Sequence, residues 1–163
     1  MAIGRPGEPG SVFKTATLMT LLADGKVTLD TKVPTNKGKL EGFPKVPIDK
    51  TLQKYEANEK KYSISVREGF YKSSNNVFRH LVIKHYGENE YTRKQFTDRL
   101  FEYNLHDAYT FDLEEKGYGK SSLRDKWSIH DLYSTAIGYS IRETPLNILA
   151  FYNAIANGGK MMK

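Results

Sequence analysis

An apolar stretch near the start of the chain constrains the fold more than any other feature. Residues 11–24 follow a Pro-Gly breaker and carry a single charged side chain, Lys14, before Asp24. Apolar or small residues cover nearly every side of the predicted helix, which is typical of a helix buried at the centre of a domain. Asp24-Gly25 marks its end, because glycine readily adopts the left-handed conformation that follows many helices.

Ser11 and Lys14 are the candidate reactive pair of this helix. Side chains three residues apart share a helix face, and a hydroxyl beside a buried amine is the arrangement expected of an activated nucleophile. Burial and the helix dipole both predict a Lys14 pKa below its usual range, which would leave an amine able to accept a proton. In the alternative interpretation Ser11 is only an N-cap, a position that favours serine.

A second candidate site lies in the turn Ser73-Ser74-Asn75, between two predicted helices. The Ser73 hydroxyl could relay a proton and the Asn75 amide could hold a substrate carbonyl, both from a rigid loop. Here too there is an alternative, in which the serines only cap the helix that begins near Asn76.

Composition excludes several classes of site. The 163 residues contain no cysteine, which excludes disulfides, thiol chemistry and cysteine-based zinc sites. The four histidines do not have the spacing of metal ligands, so the sequence shows no metal-binding group. The net charge is +6, but the lysines are interleaved with acidic residues and no nucleic-acid-binding motif accompanies them. We therefore expect no nucleic-acid partner, while a basic nucleic-acid binder, with steeply salt-dependent binding, remains a rival hypothesis.

The rest of the chain divides into a lysine-rich region and a helical region. Residues 26–62 are broken by prolines, and they predict short strands at Val27–Val33 and Lys45–Ile48 followed by a loop. Residues 65–159 predict a helical subdomain in which 105–127 form an irregular connection, anchored on the core by Trp127. The predicted helices of this subdomain are 65–71, opened by a Ser65–Glu68 capping box, then Val77–Tyr86, Tyr91–Asn104, and Leu146 to Asn157 after Thr144-Pro145.

Three motifs in order make the chain resemble a known family. They are Glu8-Pro-Gly-Ser11-Val-Phe-Lys14, Ser73-Ser-Asn75, and Gly138 to Thr144-Pro145 leading into Ala154-Ile-Ala-Asn157-Gly-Gly. Together they resemble a penicillin-binding protein, and more narrowly the transpeptidase domain of a class B, division-type enzyme. The resemblance covers essentially residues 1–163. It implies the helical part of the α+β β-lactamase/transpeptidase-like fold, mainly α with short strands and with most of the core sheet missing.

The resemblance also implies roles for individual residues. Ser11 would be the nucleophile acylated by a D-Ala-D-Ala stem peptide or a β-lactam, with its own N–H as half of the oxyanion hole, and Lys14 would be its general base. Ser73 would relay the proton to the leaving group, and Asn75 would hold the acyl-side amide and help to position Lys14. No metal or cofactor is needed. The residues expected to contact substrate are Ser74, Gly138 and Tyr139.

The family's third motif, Lys-Thr-Gly on a core strand, does not occur in the 163 residues. We therefore expect a partial transpeptidase domain that ends before this motif and has little or no activity alone. The parent protein would be a peptidoglycan D,D-transpeptidase anchored at the outer face of the bacterial cytoplasmic membrane, with cell-division or elongation partners. Two further hypotheses are a β-lactamase or penicillin-sensing domain of the same fold and a non-enzymatic helical binding module. A β-lactamase would need a deacylating base, and no acidic residue stands in a matching motif.

Overall fold

Seven α-helices and one small sheet build the part of the chain that the structure, a computed structural model, describes: residues 6–53, 63–105 and 127–161. The predicted fold class, mainly α with short strands, is confirmed. The helices are α1 (Lys14–Ala23), α2 (Lys50–Gln53), α3 (Val66–Tyr71), α4 (Asn75–Tyr86), α5 (Glu90–Glu102), α6 (Ile129–Thr135) and α7 (Pro145–Ala156). The strands are β1 (Lys32–Pro34) and β2 (Ser63–Ser65), and 3-10 turns occupy Gly10–Phe13 and Asn36–Gly38.

The helix α1 runs through the middle of the domain, as predicted. It continues directly from the 3-10 turn Gly10–Phe13 and packs against α4 and α5. Phe13, Ala16 and Leu21 are essentially fully buried on it, so its apolar sequence is explained by contacts on several sides. The helix ends where expected, at Ala23, and Gly25 has a φ of 62°.

The C-terminal end of α1 is tied to two other helices through one carboxylate. The Tyr86 hydroxyl at the end of α4 donates to Asp24 Oδ2 at 2.7 Å. The Arg99 guanidinium on α5 donates from Nε to Asp24 Oδ1 at 2.6 Å. This network fixes the far end of α1, about 15 Å from its first residue at 1.5 Å per residue.

The two-stranded sheet links the region after α1 to the start of α3. The strands are antiparallel, and Val33 lies opposite Ile64 with both side chains buried. β2 leads into α3 through Ser65, whose side chain accepts a hydrogen bond from the Glu68 N–H, as the predicted cap requires.

The predicted strands of the lysine-rich region are largely wrong. Of Val27–Val33, only the last two residues lie in β1. Residues Lys45–Ile48 form turns and irregular backbone instead of a strand. Pro44 and Pro47 explain this, because proline has no N–H to donate to a neighbouring strand and fixes its own φ. The predicted loop over 54–62 lies outside the described residues.

The helical region agrees with the sequence except at α6. That helix was not predicted, because its capping box pairs Ser128 with Asp131 where the usual pattern has Glu or Gln. Trp127, just before it, is 7% exposed and packs its ring 6.2 Å from that of Phe96. Its predicted anchoring on the core is confirmed, whereas 106–126 of the irregular connection lie outside the described residues. In the described ranges, no helix has the length and apolar composition needed to cross a bilayer.

We predict that the start of α7 depends on the hydroxyl of Thr144. The Thr144 side chain is buried, accepts from the Asn147 N–H at 3.1 Å, and precedes a proline at the first helical position. Thr144→Ala should lower the free energy of unfolding by about 1 kcal/mol or somewhat more. Thr144→Ser keeps the cap and should recover most of the loss in denaturant titrations. Equal destabilisation by the two variants would contradict the capping role.

Candidate active site

The turn that carries Ser11 is held from outside by the segment before α7. Gly7 and Glu143 exchange two backbone hydrogen bonds of 3.0 Å each. The Gly10 N–H donates to the Gly138 carbonyl at 2.9 Å. Ser11 itself is exposed, and as the second residue of a helical turn it has one of the N–H groups that a helix start leaves without an intrahelical partner. The hydroxyl and the N–H of Ser11 are therefore presented by a fixed backbone.

Gly138 is a packing residue of this turn. It is buried with a φ of 80°, and a Cβ added there would lie 2.0 Å from the Gly10 carbonyl oxygen. Only glycine fits both the backbone conformation and this approach. The expected substrate contact at Gly138 stays a prediction, but its observed contacts place the Ser11 turn. Tyr139, the next residue, is 48% exposed, and its expected substrate contact also stays a prediction.

The Lys14 amine contacts both candidate hydroxyls. The side chain is 1% exposed, and Nζ donates to Ser11 Oγ at 3.0 Å, to Ser73 Oγ at 3.0 Å and to the Ser73 carbonyl at 2.6 Å. Three acceptors match the three protons of an ammonium group. In the neutral form, one of these contacts can reverse, so that the amine accepts a proton from a hydroxyl. The structure thus brings together the two motifs that the sequence singled out.

Burial lowers the pKa of Lys14 to about 8. The negative charge of Asp49 opposes this shift, and the positive charge of Arg79 adds to it. The direction agrees with the prediction from the sequence, and its main cause is removal of the ammonium from water. Near neutral pH, the deprotonated fraction of Lys14 is therefore much larger than that of an ordinary lysine.

The hydroxyl of Ser11 does not cap a helix. The residues at the N-cap positions of the 3-10 turn and of α1 are Pro9 and Phe13, and neither makes a side-chain capping bond. Ser11 Oγ instead accepts from the Lys14 amine. The capping interpretation of Ser11 is therefore wrong. It fails because the turn begins at Gly10 (φ 61°), which leaves Ser11 inside the helical segment.

Ser73 occupies a strained turn between α3 and α4. Its φ is 50°, a left-handed conformation that costs a non-glycine residue energy. Backbone bonds of 2.9 Å from Ser73 N–H to the Phe70 carbonyl and from Ser74 N–H to the Gly69 carbonyl close the turn. Ser73 is an exposed residue, and its hydroxyl accepts a hydrogen bond from the buried Lys14 amine.

The next two residues of the motif have different surroundings. Ser74 is fully buried, caps α4 by accepting from the Val77 N–H, and donates to Asp49 Oδ2 at 2.7 Å. Such burial does not fit the expected substrate contact, so the capping alternative describes Ser74 correctly. Asn75 is half-buried as the first residue of α4, and no hydrogen bond within the described residues joins its side chain to Lys14. Its expected role stays a prediction.

Asp49 is the residue of this site that sequence reasoning missed. Its Oδ2 accepts from Ser74 Oγ and from the Asn76 N–H, at 2.7 and 2.9 Å. Its Oδ1 accepts from the hydroxyl and the N–H of Thr51, at 2.6 and 3.0 Å. Burial alone would raise the pKa of Asp49, but the hydrogen bonds from Thr51, Asn76 and Ser74 outweigh it and lower that pKa. The Asp-x-Thr spacing indicates a local turn, but no sequence signal connects it to Ser74. Among the described residues, no group of acidic or histidine side chains could hold a metal ion.

Comparisons with known proteins place this chain in a family. A family model for the penicillin binding protein transpeptidase domain matches residues 2–163, and the chain belongs to that family. The family predicted from the three motifs is thereby confirmed. A search of the curated proteins gives no match.

Several solved structures share the fold. They include a peptidoglycan glycosyltransferase from Burkholderia ambifaria (22% identity, TM-score 0.76) and the apo transpeptidase domain of penicillin-binding protein 3 from Burkholderia pseudomallei (22%, 0.77). A third is the ceftriaxone acyl-enzyme complex of penicillin-binding protein A from M. tuberculosis (24%, 0.72). The alignments cover 98–99% of this chain but only 46%, 44% and 34% of those chains, in the same order. The chain therefore spans less than half the length of these neighbours.

We predict that Gly138→Ala strongly destabilises the protein. The variant combines an unfavourable φ with a backbone clash at Gly10, and should lose at least about 2 kcal/mol of unfolding free energy. Gly158→Ala is a matched control, because Gly158 also has a positive φ, 62°, but nothing lies within 4 Å of the added Cβ. Its loss, measured in the same denaturant titrations, should be about 1 kcal/mol. Equal losses would refute the close approach of Gly138 to Gly10.

We predict a pH-dependent stability difference between the wild type and Lys14→Met. A folded-state pKa of about 8 lies below the ordinary lysine pKa of 10.5, so burying the charged amine destabilises the fold at low pH. The unfolded state binds more protons between these values, so the contribution of Lys14 rises as pH increases from about 8 to 10.5. Denaturant titrations should show wild type gaining on the order of 3 kcal/mol relative to Lys14→Met across that window. Lys32→Met, at an exposed position, corrects for loss of a positive charge. A constant difference would refute the lowered pKa.

Proposed function

We propose that the chain carries the nucleophile site of a serine-type peptidoglycan D,D-transpeptidase. The observation that carries this proposal is the buried Lys14 amine, 3.0 Å from both the Ser11 and the Ser73 hydroxyls. A buried base in contact with an exposed serine can activate that serine for acyl transfer, and the second hydroxyl can relay the proton.

In the first half of the reaction, neutral Lys14 accepts the proton of Ser11 as Oγ attacks the carbonyl of the penultimate D-alanine. The negative charge that develops on that carbonyl oxygen is stabilised in part by the N–H of Ser11. The peptide bond then breaks, and the proton passes from Lys14 through the Ser73 hydroxyl to the departing D-alanine amine. The product is an ester between Ser11 and the stem peptide.

In the second half, an amine of a neighbouring stem peptide attacks this ester. The amine loses its proton along the same route, and the Ser11 hydroxyl is regenerated as the cross-link forms. A β-lactam would acylate Ser11 in the same way, but its amine leaving group stays attached to the acyl group. In this proposal Asn75 holds the acyl-side amide and Tyr139 contacts the substrate. Lysine and serine supply all of the proton transfer, so the proposal needs no metal or cofactor.

The wider setting is proposed from the family. The parent protein would act on peptidoglycan stem peptides at the outer face of the bacterial cytoplasmic membrane, together with division or elongation proteins. The 163 residues contain no Lys-Thr-Gly, the strand motif that the family uses to bind the substrate carboxylate and complete the oxyanion hole. We therefore propose that these residues alone have little or no transpeptidase activity.

The first test is intact-mass analysis after incubation with benzylpenicillin. A protein extended by its downstream sequence should gain one penicillin mass, since ring opening releases no atoms, and Ser11→Ala should abolish the gain. Ser140→Gly is a matched control, because it removes another exposed hydroxyl at a residue with a φ of 59°, which glycine accepts.

The 163-residue chain should show no adduct on the same timescale. Acylation as fast as in the extended protein would contradict the proposed need for the Lys-Thr-Gly strand, while leaving Ser11 as nucleophile. No adduct on any folded protein would refute the acyl-transfer proposal and favour a helical binding module. Rapid loss of the adduct would favour a β-lactamase.

A further inference from the structure

We propose that Asp49 is a positioning residue for the Lys14 base. It would hold the Ser73-Ser74 turn in the one conformation that aims two Ser73 oxygens at the Lys14 amine. The proposal rests on the proposed function for the role of Lys14 as base. Its geometry, however, is independent of any chemistry at Ser11.

Each oxygen of the Asp49 carboxylate accepts two hydrogen bonds. Its side chain is buried, at 8% exposure, and both oxygens together accept four hydrogen bonds. Two of these come from Thr51, so the carboxylate is oriented by its own local turn. The other two come from the Ser74 hydroxyl and the Asn76 N–H, 25 and 27 residues along the chain. A buried carboxylate with all acceptor sites used fixes the groups that donate to it.

Ser74 and Asn76, which donate to Asp49, follow Ser73 in the chain, and Ser73 carries two of the Lys14 acceptors. Ser73 precedes Ser74 in the chain, and its positive φ would not persist without support from its surroundings. Fixing Ser74 and Asn76 at Asp49 supplies that support from the α4 side of the turn. The Ser73 carbonyl is then held 2.6 Å from Lys14 Nζ.

Asp49 is itself braced by the segment before it. The Asp49 N–H and the Asn76 side-chain amide both donate to the Gly38 carbonyl, at 2.8 and 2.6 Å. Gly38 has a φ of 71°, and a Cβ there would lie 2.3 Å from the Asp49 carbonyl oxygen. The segment around Gly38 and Asp49 therefore forms a rigid support beneath the turn, an arrangement that a cap for α4 alone would not require.

Asp49 also acts on Lys14 through its charge. The charged groups that influence the Lys14 amine are Asp49, which favours the ammonium form, and Arg79 on α4, which disfavours it. Arg79 donates to the Asn76 side chain at 3.0 Å, so both charges belong to the same support. Because Asp49 stays ionised at neutral pH, its effect on the amine is constant through the range in which Lys14 titrates.

The decisive measurement is the pKa of Lys14 in the 163-residue chain, by NMR titration of isotopically labelled lysine side chains. Lys14→Met assigns the resonance. Asp49→Asn keeps the size of the side chain but removes the charge and replaces one acceptor oxygen with an amide donor, so it should shift the Lys14 pKa downward. Asp24→Asn is the matched control, because Asp24 is 13% exposed, also accepts side-chain hydrogen bonds, and lies at the opposite end of α1. It should reduce stability and leave the Lys14 pKa unchanged.

An unchanged Lys14 pKa in Asp49→Asn, with a stability loss like that of Asp24→Asn, would overturn the proposal and make Asp49 merely structural. Should Asp49→Asn fail to fold, Ser74→Gly serves instead, since glycine is an acceptable N-cap but cannot donate to Asp49. It should accelerate amide hydrogen exchange at Ser73 while exchange at Asp24 stays the same. Unchanged exchange at Ser73 would overturn the proposal. Neither readout requires acylation, so failure here is separable from failure of the penicillin test.

Discussion

The domain is organised around one unfavourable event, the burial of a lysine amine. An ammonium group taken out of water destabilises the fold unless its protons find acceptors, and Lys14 finds three within 3.0 Å. Two of these acceptors belong to Ser73, 59 residues away in the chain. The amine therefore joins the α3–α4 turn to α1. The three hydrogen bonds do not fully offset the loss of water around the ammonium group, because burial still lowers the pKa of Lys14.

The backbone is unusual on both sides of Lys14. Gly138 approaches Gly10 so closely that a Cβ at Gly138 would clash with the Gly10 backbone, and this contact helps to fix the turn that presents Ser11. Ser73 holds a left-handed φ, and the carboxylate of Asp49 secures the residues that follow it. The strained conformation of Ser73 is thus maintained by contacts from outside the site. Local strain is tolerated in a protein where surrounding structure overdetermines it.

The sequence predicts the local parts of this arrangement well and the long-range parts poorly. The i, i+3 spacing places Ser11 beside Lys14, and the caps at Ser65 and Thr144 define two helix starts. Each of these signals lies within four residues, and over that distance helix geometry determines which groups are in contact.

The errors have an equally physical origin. The sequence leaves two interpretations of Ser11 open, because serine suits an N-cap as well as a contact with Lys14. The φ of Gly10 decides between them. The strand predicted at Lys45–Ile48 reflects β-branched residues between prolines that cannot complete a ladder. The link from Asp49 to Ser74 joins residues 25 positions apart, and no periodicity encodes such a pairing. A supporting side chain such as Asp49 is thus harder to find from the sequence than the Ser11–Lys14 pair, because its partners are set by the fold.

The low sequence identity of the structural neighbours is consistent with this difference between local and long-range contacts. At 22–24% identity the neighbours share the fold, with TM-scores of 0.72–0.77, so most side-chain contacts can differ while the backbone path persists. The contacts of Lys14 need only a few fixed features: a buried amine, a turn that offers two oxygens, and a serine hydroxyl one helical turn away. How the turn is held is a separate problem that different sequences can solve differently. In this chain the solution is a buried carboxylate, and its charge couples the support of the turn to the protonation of the lysine that the turn serves.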